Sequence, residues 1–224
     1  MDQAFWLERW AANEIGFHES DFNPALVDHW PRLHLAAGAT VFVPLCGKSL
    51  DLLWLAKQGF RVVGVELSDI AVQAFFAENG LAPEIRETGR HKVYRCGSIE
   101  IWQGDFFTLP DEATEAVIAV YDRASLIAFP PEIQPRYTEK MIALTASGTR
   151  TLLVTLEYDQ SRMEGPPFAA PEDSIASMFG GACEIKLIRR DDILTPDHRF
   201  RQRGQGLAWL NSVIYVLERN EAFC

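Results

Sequence analysis

Residues 41–56 read VFVPLCGKSLDLLWLA: an apolar run, one glycine, then Lys48 and Ser49 opening an amphipathic segment. This is the punctuation of a nucleotide-binding strand, loop and helix, yet neither common glycine signature fits. A phosphate loop ending in Gly47-Lys48-Ser49 needs another glycine five residues earlier, where Phe42 stands. The G-x-G-x-x-G dinucleotide pattern fails as well, because Gly47 is alone. Dinucleotide loops carry several glycines because a pyrophosphate must lie against a helix amino terminus. A single glycine points instead to a nucleoside ligand that has no pyrophosphate.

Working outward, TVFVPL reads as a buried strand, followed by a helix from about Ser49 to Gln58 that Ser49 caps and Gly59 ends. RVVGVEL is the second strand, and a helix capped by Ser68 or Asp69 runs through IAVQAFFAEN to Asn79-Gly80. IEIWQGD, EAVIAVYD and TRTLLVTLEYD supply strands three to five, with a helix in EIQPRYTEKMIALT after Pro130-Pro131. Strands alternating with helices imply right-handed crossovers and a parallel sheet covered on both faces. The tail breaks this pattern. CEIKLIRRDDIL and GLAWLNSVIYVLER are both strand-like and read as a closing antiparallel hairpin. The first 38 residues look helical, with NPALVDHWPRLHL the longer helix, and carry Trp6, Trp10, Phe17, Phe22 and Trp30. Such aromatics pack a core or cover a ligand. With no repeat or low-complexity linker, the expectation is one domain: a helical cover over 1–38 and an α/β core over 39–224.

Composition narrows the function. The 224 residues carry a net charge of −10, with 48% hydrophobic and 23% charged residues. That is ordinary for a globular chain but wrong for a broad nucleic-acid footprint, which needs a cationic face. An acidic surface also repels anionic membranes. The amino-terminal MDQAFWLERW has no basic stretch followed by an apolar core, so no signal peptide is expected there, and no apolar run approaches membrane-spanning length. Cys46, Cys96, Cys183 and Cys224 are scattered without a C-x-x-C pair, against both a zinc site and a disulfide framework. A reducing cytoplasm, no metal and a monomer are the simple expectations.

In an open parallel sheet, ligands bind beyond the carboxyl ends of the strands. Four features fall there, one for each consecutive strand: Leu45-Cys46-Gly47, Glu66, Asp105 and Asp122-Arg123. Glu66 lies 21 residues after Leu45, where a carboxylate accepts both hydroxyls of a ribose. Asp105, in WQGDFF, either accepts from an adenine amino group, with Phe106 or a neighbour against the ring, or simply makes a turn. Arg123 either meets an anion or pairs with Asp122. Lys48 reads as a solvent-facing lysine at a helix start. A nucleoside ligand with an amino-acid part and no phosphate is S-adenosylmethionine.

The segments WLERW…GFH, VFVPLCGKSLDLLWLAKQGFRVVGVELSDIAVQAFF, YDRASLIAF and EGPPFAAP together resemble the thiopurine S-methyltransferase family, in its bacterial branch. The resemblance runs through nearly the whole chain. It implies a class I S-adenosylmethionine-dependent methyltransferase, Rossmann-like, with a mostly parallel seven-stranded sheet and helices on both faces. The implied reaction is methyl transfer to the sulfur of aromatic or heterocyclic thiols such as thiopurines, with S-adenosylhomocysteine as product. Some bacterial relatives are associated with selenium and tellurium compounds. By matched motif, cofactor contacts fall on Trp10, Leu45, Glu66 and Arg123, with Asp105 and Phe106 beside the adenine. Phe17 and Phe168 fall near the substrate. A substrate-side arginine is expected among Arg199, Arg201 and Arg203.

The expected chemistry is an in-line displacement by a thiolate, in which the protein contributes alignment and exclusion of water. Aromatic thiols are acidic enough that no dedicated base is expected, with Arg123 holding the anion. Asp122 and His18 remain as candidate proton acceptors. Two other readings use the same fold: a nicotinamide-dependent oxidoreductase and a noncatalytic nucleoside-binding protein.

Overall fold

The computed structural model describes residues 3–203 and 206–221, with the side chains of 202 and 203 left out. Cys224 and the Arg203 side chain, both singled out above, therefore lie outside the described residues. The chain forms two compact units, one up to Tyr121 and one from Asp122 onward.

The first unit begins with α1 (Gln3–Ala11) and α2 (Pro24–His29). The NPALVDHWPRLHL segment is not the longer helix: α2 has six residues against nine in α1. Pro31 is the reason, since it has no N–H to donate and crowds the preceding turn. The chain passes there into a 3-10 turn, Trp30–Leu33, and leaves it through His34 at φ +47°.

β1 (Thr40–Val43), α3 (Asp51–Lys57), β2 (Arg61–Glu66) and α4 (Asp69–Glu78) follow as expected. Val41, Phe42, Val62 and Val65 are at most 1% exposed, as strands covered on both faces require. α3 starts two residues later than expected. Ser49 acts from outside it, its Oγ accepting the Asp51 N–H at 3.2 Å. Asp51 is itself buried, taking the Asn23 N–H (2.8 Å) and the Tyr121 hydroxyl (3.0 Å). Ser68 caps α4 through the Ala71 N–H.

Then comes an unexpected hairpin, β3 (Glu84–Thr88) and β4 (His91–Cys96), before β5 (Ile99–Gln103). Gly89 at φ +54° turns β3 into β4, and Gly97 at φ +59° turns β4 into β5. β6 (Val117–Arg123) completes the order β3-β4-β5-β2-β1-β6. β1, β2, β5 and β6 run parallel, while β4 is antiparallel to both neighbours.

The second unit holds α5 (Gln134–Ala143), β7 (Arg150–Glu157), α6 (Glu172–Phe179), β8 (Cys183–Asp192), α7 (Phe200–Arg203) and β9 (Asn211–Arg219). Pro135 sits in the first turn of α5, where a missing N–H costs nothing. The closing hairpin is antiparallel as expected, with β9 between β7 and β8. Nine strands thus stand among the described residues where seven were expected. Parallel pairing is seen between β1 and β2, β1 and β6, and β2 and β5.

Candidate active site

The loop after β1 is shaped by two left-handed residues, Leu45 at φ +45° and Gly47 at φ +53°. A leucine there is strained, at about 1–3 kcal/mol, and persists only because its surroundings hold it. The holding bonds are visible. Cys46 N–H donates to the Val65 carbonyl (2.9 Å), Ser49 N–H to the Cys46 carbonyl (3.1 Å), and Gly47 N–H to Glu66 Oε2 (2.8 Å). Three amides of the loop are therefore spent inside the protein. A pyrophosphate cradle needs such amides pointing outward. The missing glycines and the spent donors exclude the same ligand by independent routes.

Glu66 is 6% exposed, and its other oxygen accepts the Ser68 N–H at 2.8 Å. Burial pushes its pKa up, while the amides of Ser68, Gly47 and Leu67 pull it back. A carboxylate has about four acceptor positions, and the close bonds from Gly47 and Ser68 take two of them, which leaves acceptor capacity for hydroxyls. These acceptors fit the hydroxyls of a ribose. Behind the loop, Cys46 packs against Gly64, where a Cβ would come within 2.8 Å of its sulfur. Burial, and then Glu66, raise the Cys46 thiol well above its ordinary pKa, so it is no nucleophile. Lys48 is not solvent-facing as expected: its side chain is 13% exposed and pairs with Glu78 of α4 at 2.7 Å.

Trp10 lies against this loop. A Cβ on Gly47 would stand 3.2 Å from its indole ring. Phe17 meets Trp10 edge-on at 5.5 Å and Trp6 at 5.7 Å. Trp10, Phe17, Gly47 and Glu66 are thereby brought together, whereas Trp30 is core, against Phe60 and Tyr121. Asp105 makes the turn: its carboxylate accepts the Phe107 N–H (3.0 Å) and caps a 3-10 turn, Phe106–Thr108. Phe106 is 4% exposed and edges Phe107. The preceding residues tie this turn to Glu66, through Gly104 N–H to the Glu66 carbonyl (2.8 Å) and Gln103 Nε2 to the Leu67 carbonyl (2.9 Å). His18 is half-buried, its N–H bonded to the Ile15 carbonyl.

In the second unit, Arg123 is half-buried at the end of β6, followed by Ala124 at φ +63°. Asp122 is buried, with Oδ2 accepting the Tyr137 hydroxyl (2.7 Å) and Oδ1 the Leu126 N–H (3.4 Å). Burial lifts its pKa to about 6. Phe168 folds over Gly165, where a Cβ would come within 2.5 Å of its ring, and its N–H donates to the Ile127 carbonyl. Tyr158 and Gln160 brace this GPPF loop, through Tyr158 OH to the Pro167 carbonyl (2.6 Å) and Ala169 N–H to Gln160 Oε1 (2.8 Å). Arg201 is committed to the carbonyls of Thr195 and Leu194, and Arg199 lies over the Phe200 ring. His91, Tyr94, Gln103 and Tyr137 were not singled out from sequence. Only the alternation about Gly89 hinted at the hairpin carrying the first two.

No group of three or more metal-ligating side chains occurs among the described residues, and none of their helices is long and apolar enough to cross a membrane.

Comparison with known proteins agrees with this architecture. The sequence model described as thiopurine S-methyltransferase (TPMT) matches residues 1–220. Proteins named thiopurine S-methyltransferase from Azotobacter vinelandii and Pseudomonas aeruginosa are 48% and 47% identical over 219 residues, spanning 98% of this chain and all of each relative. Among solved structures, a Burkholderia thailandensis 1,6-didemethyltoxoflavin-N1-methyltransferase with bound S-adenosylhomocysteine superposes with TM-score 0.63. It is 16% identical, covering 98% of this chain and 87% of its own. A Methanosarcina mazei S-adenosylmethionine-dependent methyltransferase has TM-score 0.64 at 13% identity, covering 90% of this chain and all of its own. At those identities the likeness is one of fold.

Proposed function

We propose, for a chain that belongs to the thiopurine S-methyltransferase family, how its own residues carry S-adenosylmethionine-dependent methyl transfer to the sulfur of thiopurine-type aromatic thiols. The observation that carries the reading is Glu66, a buried strand-end carboxylate fixed by the Gly47 and Ser68 amides with acceptor positions to spare. S-adenosylmethionine, when bound, supplies a methyl group activated by its sulfonium. Glu66 accepts the ribose hydroxyls, and Trp10 and Leu45 pack against the ligand. The Asp105–Phe106 turn borders the adenine, its geometry set by the Phe107 cap rather than by free carboxylate oxygens.

Arg123 holds an anion, either the cofactor carboxylate or the thiolate, and a nearby cation favours the reactive thiolate form. Phe17 and Phe168 line the acceptor side. Water exclusion by these aromatics strengthens the electrostatics at the sulfur. No dedicated base is assigned. Asp122 spends its carboxylate on Tyr137 and Leu126, which argues against it as proton acceptor.

A single domain, a monomer and a cytoplasmic setting complete the proposal. Free Cys46, Cys96 and Cys183 thiols support a reducing compartment, and light scattering of the purified chain tests the monomer. For the chemistry, calorimetric titration should detect S-adenosylmethionine and no NAD. Labelled methyl should pass to a thiopurine, with selenium and tellurium acceptors as further arms. Binding without transfer to any of these would overturn the enzyme reading. Unchanged cofactor affinity and turnover in Arg123→Ala would remove Arg123 from the site.

A further inference from the structure

The β3–β4 hairpin is not needed to connect α4 to β5, yet it places two buried side chains beside the turns that follow β2 and β5. His91, at the start of β4, is 4% exposed, and its Nε2 lies 3.2 Å from the Asp105 carbonyl oxygen. A carbonyl only accepts, so this bond requires the tautomer that carries its proton on Nε2. The same ring presses on Gly104, where a Cβ would stand 2.4 Å from Cδ2, and meets Trp102 edge-on. Three residues along the strand, Tyr94 is also 4% exposed. Its hydroxyl donates to Asp69 Oδ1 at 2.6 Å, and its ring stacks on Phe76. Asp69 is the first residue of α4, three beyond Glu66.

These contacts close a ring. Tyr94 holds the α4 start, and the Glu66–Leu67 carbonyls hold Gly104 and Gln103. The Asp105 carbonyl is held back to His91 on the strand that carries Tyr94. The geometry points to His91 and Tyr94 as positioning residues that set the two turns assigned to the ribose and adenine. Neither touches the ligand. They act through Asp105 and Asp69, and the inference rests on the reading of Glu66 and Asp105 as adenosine-side residues. A buried bond lost here moves the turn by removing its tether, while the parallel strands beneath keep their own ladder.

The test is calorimetric titration with S-adenosylmethionine, paired with steady-state kinetics on a thiopurine, for the wild type, His91→Phe, His91→Gln and Tyr94→Phe. At Tyr94, Phe removes only the hydroxyl. At His91 it removes the polar contact but also puts a larger ring against Gly104 and Trp102, which is why His91→Gln is run beside it. His91→Phe and Tyr94→Phe should each raise the cofactor Kd and KM about 3- to 10-fold, the factor that about 0.6–1.4 kcal/mol corresponds to. The kcat at saturating cofactor and the KM for the thiol should stay at wild-type values. His91→Gln, whose amide can donate to the Asp105 carbonyl, should recover most of the loss. Variants that melt cooperatively and bind the cofactor as the wild type does would overturn the inference, as would a loss confined to kcat. If His91→Phe fails to fold, Tyr94→Phe and His91→Gln decide by the same readouts. A wild type that does not bind S-adenosylmethionine would instead overturn the reading of the site itself.

Discussion

Replacing Asp122 with Asn removes a carboxylate whose ionisation the fold opposes. Asp122 is 2% exposed, and burial is the largest influence on it, outweighing its bonds to Tyr137 and the Leu126 and Ser125 groups. Its pKa rises from the usual 3.8 to about 6. Because the native state holds the proton more tightly than the unfolded chain, this group favours folding fully below its unfolded pKa. That contribution is lost as pH rises through about 6. The interval from 3.8 to about 6, at about 1.36 kcal/mol per pH unit, corresponds to about 3 kcal/mol. Other carboxylates follow their own trends, so the quantity to read is the difference between wild type and variant. Asn keeps the shape: its oxygen can accept the Leu126 N–H while its amide donates to the Tyr137 hydroxyl oxygen. Urea unfolding between about pH 4 and pH 8 should show the difference moving in favour of Asp122→Asn by up to about 3 kcal/mol, at constant m. A difference that stays flat across that window would refute the reasoning.

Three other outcomes follow from the same structure. Glu66→Gln presents an NH2 group to one of two buried backbone donors, so stability should fall by about 2–4 kcal/mol in urea unfolding, and calorimetry should show cofactor binding lost with it. Gly47→Ala puts a Cβ on a left-handed residue 3.2 Å from the Trp10 ring, with about 1–2 kcal/mol lost and Trp10 fluorescence changed. In the second unit, Arg190 bonds both oxygens of Glu157, which is 9% exposed, and also Glu172. Arg190→Met should cost about 1–3 kcal/mol by urea unfolding, and adding Glu157→Gln should restore part of it, because the penalty lies in the abandoned buried carboxylate.

The alternation of strands and helices from Thr40 to Glu157 was readable because each β–α unit carries its own punctuation. Ser68 does cap α4 through the Ala71 N–H, and Gly59 and Gly80 do end helices, at φ +88° and +66°. The misses have equally local causes. EIRETGRHKVYRC is charged and half-exposed, so its alternation carries no apolar contrast, and two strands passed unread. α6 starts just after Pro171, with Glu172 and Asp173 in its first turn, and spans only eight residues, too short for a helical period to stand out. Pro31 was visible, and the expected long helix across it gave propensity too much weight against a missing N–H.

The site shows why spacing finds a residue type but not its full duty. Glu66 was legible because a strand ending in VVGVE must deliver its last side chain to the carboxyl edge, 19 residues past Gly47. The same spacing says nothing of the two amides that occupy it, because those depend on Leu45 and Gly47 both turning left-handed. Leucine has no propensity for that turn, so only tertiary contacts can impose it. Those contacts are Trp10 against Gly47, Cys46 against Gly64, and the carboxylate itself. Glu66 therefore helps to build the loop whose ligand it is proposed to bind, and the two roles cannot be mutated apart at that position. They can be separated at Gly64, where an added Cβ displaces Cys46 while leaving the carboxylate intact. If loop shape matters as much as ribose contact, Gly64→Ala should weaken the cofactor with Glu66 still in place. Unchanged affinity there would assign the whole effect of Glu66 to the contact.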